Sequence, residues 1–271
     1  MGIVNVTPDS FSDGGRFLEA EAAIAHGMQL VAEGADVVDV GGESTRPGGA
    51  GVAAAEERRR VVPVIEALAP HVRVSVDTRK AVVAEAAIAA GATLLNDVSA
   101  SLWDVAAAGG AGWIGMHMQG EPATMQDHPR YGDVVVEVRD LLVERAELAV
   151  AAGVREVWID PGIGFGKDVG HNLDLLARLD ELVATGVPVV VGTSRKGFLG
   201  RLTGGAAVAD RLEASVATAV WALAQGAGMV RVHDVAATVA AARIVGGYAR
   251  DVEVGGGGRV MSSTSTEGGR R

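Results

Sequence analysis

Val189-Val190-Val191 runs straight into Gly192-Thr193-Ser194-Arg195-Lys196. A β-branched run with no polar alternation suits a strand covered on both faces. Its abrupt end on glycine, hydroxyls and cations suits a strand that delivers polar groups to one edge of a sheet. The construction recurs along the chain. Gly2-Ile3-Val4 stops at Asn5, Val37-Val38-Asp39-Val40 at Gly41-Gly42-Glu43-Ser44, Val74-Ser75-Val76 at Asp77-Thr78, and Leu94-Leu95 at Asn96-Asp97. Trp113-Ile114-Gly115-Met116 stops at His117, Trp158-Ile159 at Asp160-Pro161-Gly162, and Val230-Arg231-Val232 at His233-Asp234. Eight such ends predict an α/β protein, a (β/α)8 TIM barrel, in which the carboxyl ends of all strands meet on one catalytic face. An open doubly wound sheet is the rival architecture, and its five or six strands do not account for eight signatures.

Alanine-rich helical stretches separate the runs, at about 19–33, 52–69, 80–90, 133–152, 171–185, 208–227 and 235–248. Glycine follows five of them, in Glu33-Gly34-Ala35, Ala90-Gly91-Ala92, Ala152-Gly153-Val154, Thr185-Gly186-Val187 and Gly226-Ala227-Gly228. Glycine there can take the left-handed cap conformation and turn the chain back. The third-to-fourth and fourth-to-fifth strand connections are short, with room for a crossover helix or turn. The expected organisation is one barrel domain over residues 1–250 and a disordered Gly/Ser/Thr-rich tail over 251–271.

The 271 residues are close to the roughly 250 typical of such a barrel. Hydrophobic residues make up 48% of the chain, enough for a large core. A net charge of −10 argues against a nucleic-acid or anionic-membrane partner. The absence of cysteine removes disulfides, thiolate nucleophiles and cysteine-ligated metals. No segment has the apolar length of a membrane span, and no basic-plus-apolar leader precedes the first run, so a cytoplasmic protein is expected.

The strand ends carry the candidate chemistry. The first loop, Asn5 to Gly15, is Pro-, Asp-, Ser- and Gly-rich, with Phe11 as its lone aromatic. Such a loop suits a lid whose aromatic closes on a ligand, or one that buries the ring beneath itself. The second, Gly41 to Gly49 with Thr45, Arg46 and Pro47, offers backbone N–H groups, hydroxyls and a guanidinium to an anion. Asp77, Asn96 and Asp160 together can read the N–H edge of a heterocycle. Asp77 and Asn96 are also plausible helix caps, and Asp77 with Asp160 a metal or acid–base pair. Gly162-Ile163-Gly164-Phe165-Gly166-Lys167 lacks the spacing of a nucleotide phosphate loop. Its glycines would let backbone approach a flat ligand against which Phe165 packs. Ser194, Lys196, Arg231 and His233 gather at strands seven and eight, a common phosphate position in barrels. Arg231 inside an apolar strand needs either an acid partner or a wet pocket. His26, His71, His128 and His171 lie in no comparable context and read as surface or helix residues. The run Glu56 to Arg60 reads as a solvated helix face.

In their order, the first and second loops, Asp77-Thr78, Asn96-Asp97-Val98, Met116-His117-Met118-Gln119-Gly120, Asp160 to Lys167, Ser194-Arg195-Lys196 and Arg231-Val232-His233-Asp234 resemble the signatures of dihydropteroate synthases. The resemblance covers about residues 1–249. It implies a barrel that joins 6-hydroxymethyl-7,8-dihydropterin diphosphate to 4-aminobenzoate. Asp77, Lys196, Arg231 and His233 would be catalytic. Asp77, Asn96, Met116, Asp160, Phe165, Gly192, Lys196 and Arg231 would hold the pterin. Asn5, Thr45, Arg46, Arg231 and His233 would bind the diphosphate, Asn5 also taking part in binding the cofactor Mg²⁺. Phe11, Pro47, Ser194 and Lys196 would form the aminobenzoate site. Members of the family usually carry a short segment before the first strand, whereas Met1 here lies almost on it. The family is generally a homodimer, and the alanine-rich stretch Val208–Gln225 suits a subunit contact or plain barrel packing. A methyltetrahydrofolate-dependent methyltransferase domain is a second reading, but it needs neither the cations nor the two glycine-bearing loops. A non-catalytic pterin-binding relative is a third, which both intact loop signatures disfavour.

Overall fold

The computed structural model describes residues 1–6, 16–44, 51–122 and 124–245. Phe11, Thr45, Arg46, Pro47 and the tail 251–271 lie outside the described residues. Eight strands form where the apolar runs predict them: β1 Gly2–Asn5, β2 Val37–Gly41, β3 Arg73–Asp77, β4 Leu94–Asp97, β5 Gly112–Met116, β6 Val157–Asp160, β7 Val190–Val191 and β8 Met229–Val230. All pair in parallel. β1 to β6 form one continuous sheet in sequence order, and β7 pairs with β8. Two single bridges close the ring, Ile159 with Val189 between β6 and β7, and Gly2 with Val232 between β8 and β1. Around the second, Ile3 N donates to Val232 O and Val232 N to Met1 O, both at 3.0 Å.

The helices are α1 Arg16–Ala32, α2 Ala54–Leu68, α3 Ala81–Ala89, α4 Trp103–Gly109, α5 Val134–Ala151, α6 Val169–Ala177, α7 Leu179–Val183, α8 Gly197–Leu202, α9 Leu212–Ala224 and α10 Val235–Val245. Gly34, Gly91, Gly153, Gly186 and Gly226 all have positive φ, from 79° to 113°. The repeated junction is therefore a left-handed turn that reverses the chain into the next strand. The short β4–β5 connection holds α4.

The helix boundaries depart from expectation in three places. The stretch 171–185 is two helices, α6 and α7, parted at Arg178 with φ −113° and ψ 31°. At that break the carbonyl of Leu176 accepts the indole N–H of Trp221 at 2.8 Å instead of continuing the helical ladder. The stretch 208–227 is a 3-10 turn, Val208–Asp210, followed by α9. Arg211 parts them, its guanidinium donating to the carbonyls of Ala206 and Arg195. The third is α8, which forms from a two-glycine sequence that showed no helical periodicity.

Strand alternation sorts the side chains into two compartments. Val38, Val40, Val74, Val76, Leu95, Ile159 and Val191 face the helices and join the main core. Met1, Val37, Leu94, Ile114 and Val190, with Trp158 and Met229 against them, plug the amino-terminal end of the barrel interior. Two residues beyond Val37, Leu94, Trp158 and Met229 the chain turns polar, at Asp39, Asn96, Asp160 and Arg231, and β3 ends on Asp77. The apolar plug is the floor on which the site is built.

Candidate active site

A cavity of about 750 Å³ opens at the carboxyl ends of the strands, lined among others by Asn5, Asp77, Phe165, Gly192, Ser194, Lys196, Arg231 and His233. Acids and bases expected from distant parts of the sequence thus share one rim. Asn5, Gly41, Asp77 and Asn96 are in register across β1 to β4, and Met116 is in register with Asp160. Asn96, Met116 and Asp160 do not line the open cavity. Each is nearly fully buried behind it.

Arg231 is the centre of the electrostatics. Its Nε donates to Asp39 Oδ2 at 2.6 Å and one terminal nitrogen donates to Asp77 Oδ2 at 2.7 Å. Asn96 Nδ2 donates to the same Asp39 oxygen at 3.0 Å. Both readings of Arg231 therefore hold, since it is paired with acids and also faces the cavity. Burial opposes its charge, yet Asp39 and Asp77 hold it protonated above the ordinary guanidinium range. Burial, joined by repulsion from Asp39 and Glu57, outweighs Arg231 and Lys196 and raises the Asp77 carboxyl to about 7. Burial likewise raises Asp160, against Lys196 and a hydrogen bond from Gly162 N at 2.7 Å. Lys196 is drawn down to about 8 by burial, with Asp160 opposing.

Lys196 spans the slot. Its ammonium lies 4.2 Å from the Phe165 ring centroid and donates to the carbonyl of Ile163. Gly164 permits this, because a Cβ there would sit 3.0 Å from the Lys196 stem. Ser194, Arg195 and Lys196 are aimed by a strained backbone, Arg195 having φ +58°. Arg195 is held by a bidentate pair with Asp234 at 3.0 and 2.5 Å. Ser194 Oγ accepts from the backbone N–H of His233 at 3.1 Å and contacts His233 Nδ1 at 3.0 Å. The β7 and β8 loops are thereby locked together.

Two of the three glycines of the 162–166 segment have a packing role, while Gly164 lines the cavity. A Cβ at Gly162 would fall 1.8 Å from the His117 carbonyl oxygen, and one at Gly166 would fall 2.2 Å from that of Gln119. These two glycines let the β6 loop pack on the β5 loop. Lys167 pins the same contact. It is buried, and its Nζ lies 2.8 Å from His117 Nδ1, 3.1 Å from Gly162 O and 3.0 Å from Phe165 O. Burial and the neighbouring Lys167 push the His117 imidazole down to about 3, so it stays neutral.

The capping alternative for Asp77 and Asn96 does not hold, since α3 and α4 have no side-chain cap. Asp97 orders the turn ahead of α4, accepting from the backbone N–H groups of Ser99, Ser101 and Leu102 and from the Trp113 indole. Among the described residues no group of three or more His, Asp or Glu side chains is arranged for a metal ion. The Glu56 to Arg60 run is only partly a solvated face. Glu56 pairs with Arg59 and Arg60 on the surface, whereas Glu57 is 1% exposed, accepts from Thr78 Oγ1 at 2.6 Å and pairs with Lys80. Lys80 also pairs with Glu43, tying the base of the second loop to the turn after β3. His171 is a helix residue, closing a capping box with Asp168 at the start of α6.

The pterin binding enzyme family matches residues 1–233. The chain belongs to the pterin binding enzymes. Within them it groups with the dihydropteroate synthases. That of Mycobacterium leprae is 47% identical over 262 residues, 92% of each chain. The Xanthomonas albilineans synthase solved with 4-aminobenzoic acid superposes with a TM-score of 0.85 at 50% identity, covering 91% of both chains. The same bacterium's synthase with 7,8-dihydropteroate gives 0.82 at 47% identity, over 91% of this chain and 92% of that one.

The functional reading of this pterin binding enzyme missed Asp39 and Lys167. The signal for Asp39 was present: a lone acid inside Val37-Val38-Asp39-Val40, the same anomaly that marks Arg231. Lys167 gave less warning, because a lysine ending a glycine-rich loop reads as exposed.

Proposed function

We propose that the chain condenses 6-hydroxymethyl-7,8-dihydropterin diphosphate with 4-aminobenzoate, giving 7,8-dihydropteroate and pyrophosphate. The observation that carries this reading is Arg231 clamped between Asp39 and Asp77 in a cavity that also holds Lys196 and His233. Carboxylates for a flat electron-poor ring and cations for its departing anion stand side by side. The two X. albilineans complexes, with an arylamine acid and with the pterin product, support the same pairing of substrates.

The arylamine is a weak nucleophile because its lone pair is delocalised into the ring. In the proposed order the exocyclic C–O bond breaks first, and its electron pair leaves with the diphosphate. The remaining methylene cation is spread over the pterin. The amine nitrogen then forms the C–N bond and loses its proton to solvent. Asp77 and Asp160 stabilise the positive charge as it develops, and Arg231 and His233 draw off the negative charge. Stabilisation aimed at developing charge is commonly the largest catalytic contribution. Asn96, Met116, Phe165 and Gly192 shape the pterin slot. Lys196, which donates to the Ile163 carbonyl, would donate to the pterin when it binds. Ser194 serves the aminobenzoate, as do Phe11 and Pro47, and Thr45 and Arg46 serve the diphosphate; these last four lie outside the described residues.

The donor set fits Mg²⁺ held mainly by the diphosphate. Asn5 offers a hard amide oxygen at the rim, and Mg²⁺ commonly takes one or two protein ligands beside phosphates and water. When bound there, the ion would neutralise the leaving group. Among the described residues no helix is long and apolar enough to cross a membrane. We place a homodimer contact on the face of α9 that exposes Trp221. Pyrophosphate release by the purified protein tests the reaction. Release from the pterin diphosphate that depends on 4-aminobenzoate is expected, and its absence would sink the assignment.

A further inference from the structure

Asp39 is fully buried in the middle of β2, one layer below the cavity. Its Oδ2 accepts both Arg231 Nε and Asn96 Nδ2, while Oδ1 has no hydrogen-bond partner among the described residues. Ser75 Oγ, on the register partner of Asp39 in β3, and Asp77 Oδ1 are likewise buried and unpartnered. A buried ion pair with an orphaned oxygen is a poor way to stabilise a core; apolar residues of similar volume commonly do as well or better. A site function explains what stability does not.

We propose that Asp39 is a positioning residue for the reaction: it fixes Arg231 by its Nε edge and Asn96 by its amide, so that both present their remaining donors and acceptors to the pterin diphosphate. Geometry supports the division of labour. The guanidinium is planar, and anchoring Nε to Asp39 and one terminal nitrogen to Asp77 fixes the plane in which the other terminal nitrogen is offered. Asn96 sits in register with Asp77, so one oxygen of Asp39 orients groups on two different strands, β4 and β8. Asp39 also sets the charge of the site. It takes up part of the Arg231 charge, so that Asp77 spends only Oδ2 on Arg231 and keeps Oδ1 for the pterin. The charged groups facing Asp39 are Arg231, Asp77 and the amino group of Met1; those facing Asp77 are Arg231, Asp39, Glu57 and Lys196.

The inference rests on the proposed reaction, and the test separates the two. The parent protein is first assayed for aminobenzoate-dependent pyrophosphate release; failure there removes the reaction itself. Asp39→Asn is then compared with it. The expected result is a fall in kcat/KM for the pterin diphosphate of about tenfold to a hundredfold, the range for losing one charge-assisted hydrogen bond. The KM for 4-aminobenzoate should stay near the parent value, and the melting temperature should fall, because one partner of a buried pair is neutralised, while unfolding stays cooperative. Asp39 repels the Asp77 carboxylate, so neutralising it lets Asp77 ionise more easily, and the acid limb of the kcat/KM profile should move to lower pH. A residue that merely fills the core would leave that limb in place. If Asp39→Asn does not fold, Asp39→Ser, smaller and also neutral, is read the same way. Unchanged kcat/KM in a folded variant, or an acid limb that stays put, overturns the inference.

Discussion

Arg231 shows how a single residue can announce a site. A guanidinium within Met229-Val230-Arg231-Val232 has no stable place in an apolar interior without partners, and it finds two carboxylates far away in the sequence. Asp77→Ala removes one of them and leaves a pterin donor unmet. Turnover and pterin affinity should both fall, with kcat/KM dropping about a hundredfold or more, as for other buried recognition groups left unpaired. Steady-state kinetics beside equilibrium binding checks this, and near-parental efficiency would remove Asp77 from the site. The raised Asp77 and the lowered Lys196 also set a pH dependence. Asp77 must be ionised to accept from the pterin, so activity is lost as pH falls through about 7. Lys196 must be protonated to donate, so activity is lost as pH rises through about 8. The kcat/KM for the pterin diphosphate should therefore be a narrow bell between those values, and a profile flat across both contradicts the roles given to them. At this scale the sequence revealed the charged residues but not their pairing. Asp39 and Arg231 carry the same signal, and only the barrel brings them together.

Among the elements, the strands and the junction glycines were legible because period, β-branching and glycine each have a direct physical cause. The helix breaks were not. The α6–α7 break depends on an indole from α9 reaching the Leu176 carbonyl, and no local pattern contains that contact. The glycine-rich β6 loop was legible as special, but its packing on the β5 loop was not. Gly162 and Gly166 answer to that loop, and Gly164 to the cavity. Gly162→Ala should accordingly damage the fold and not just the ligand contact, since a Cβ 1.8 Å from the His117 oxygen at a φ of +64° forces the two loops apart. A loss of about 2 kcal/mol or more of unfolding free energy is expected, from clash and strained backbone combined. Denaturant titration measures it, and a variant as stable as the parent would show that the loops do not depend on this contact.

For the whole molecule, eight short strands, an apolar plug and a polar upper layer make a barrel that carries all its chemistry at one end. That much was legible, because each strand ends on its own signature. What the strand ends did not reveal is how thinly the ring closes, β7 and β8 joining it through single bridges. The assembly is a further property of the whole. If α9 forms the subunit contact, Trp221→Glu should convert a dimer into a monomer in sedimentation velocity, and a dimer that persists would move the interface elsewhere. The common rim for carboxylates and cations has one more consequence, that the pterin diphosphate ionises before the arylamine attacks. Its most direct measurement is positional isotope exchange, with a heavy-oxygen label in the bridging position and 4-aminobenzoate left out. Scrambling of the label into the non-bridging positions is expected in the parent protein and should vanish in Asp77→Ala. A label that stays in place, in protein that turns over normally once the arylamine is added, would contradict it.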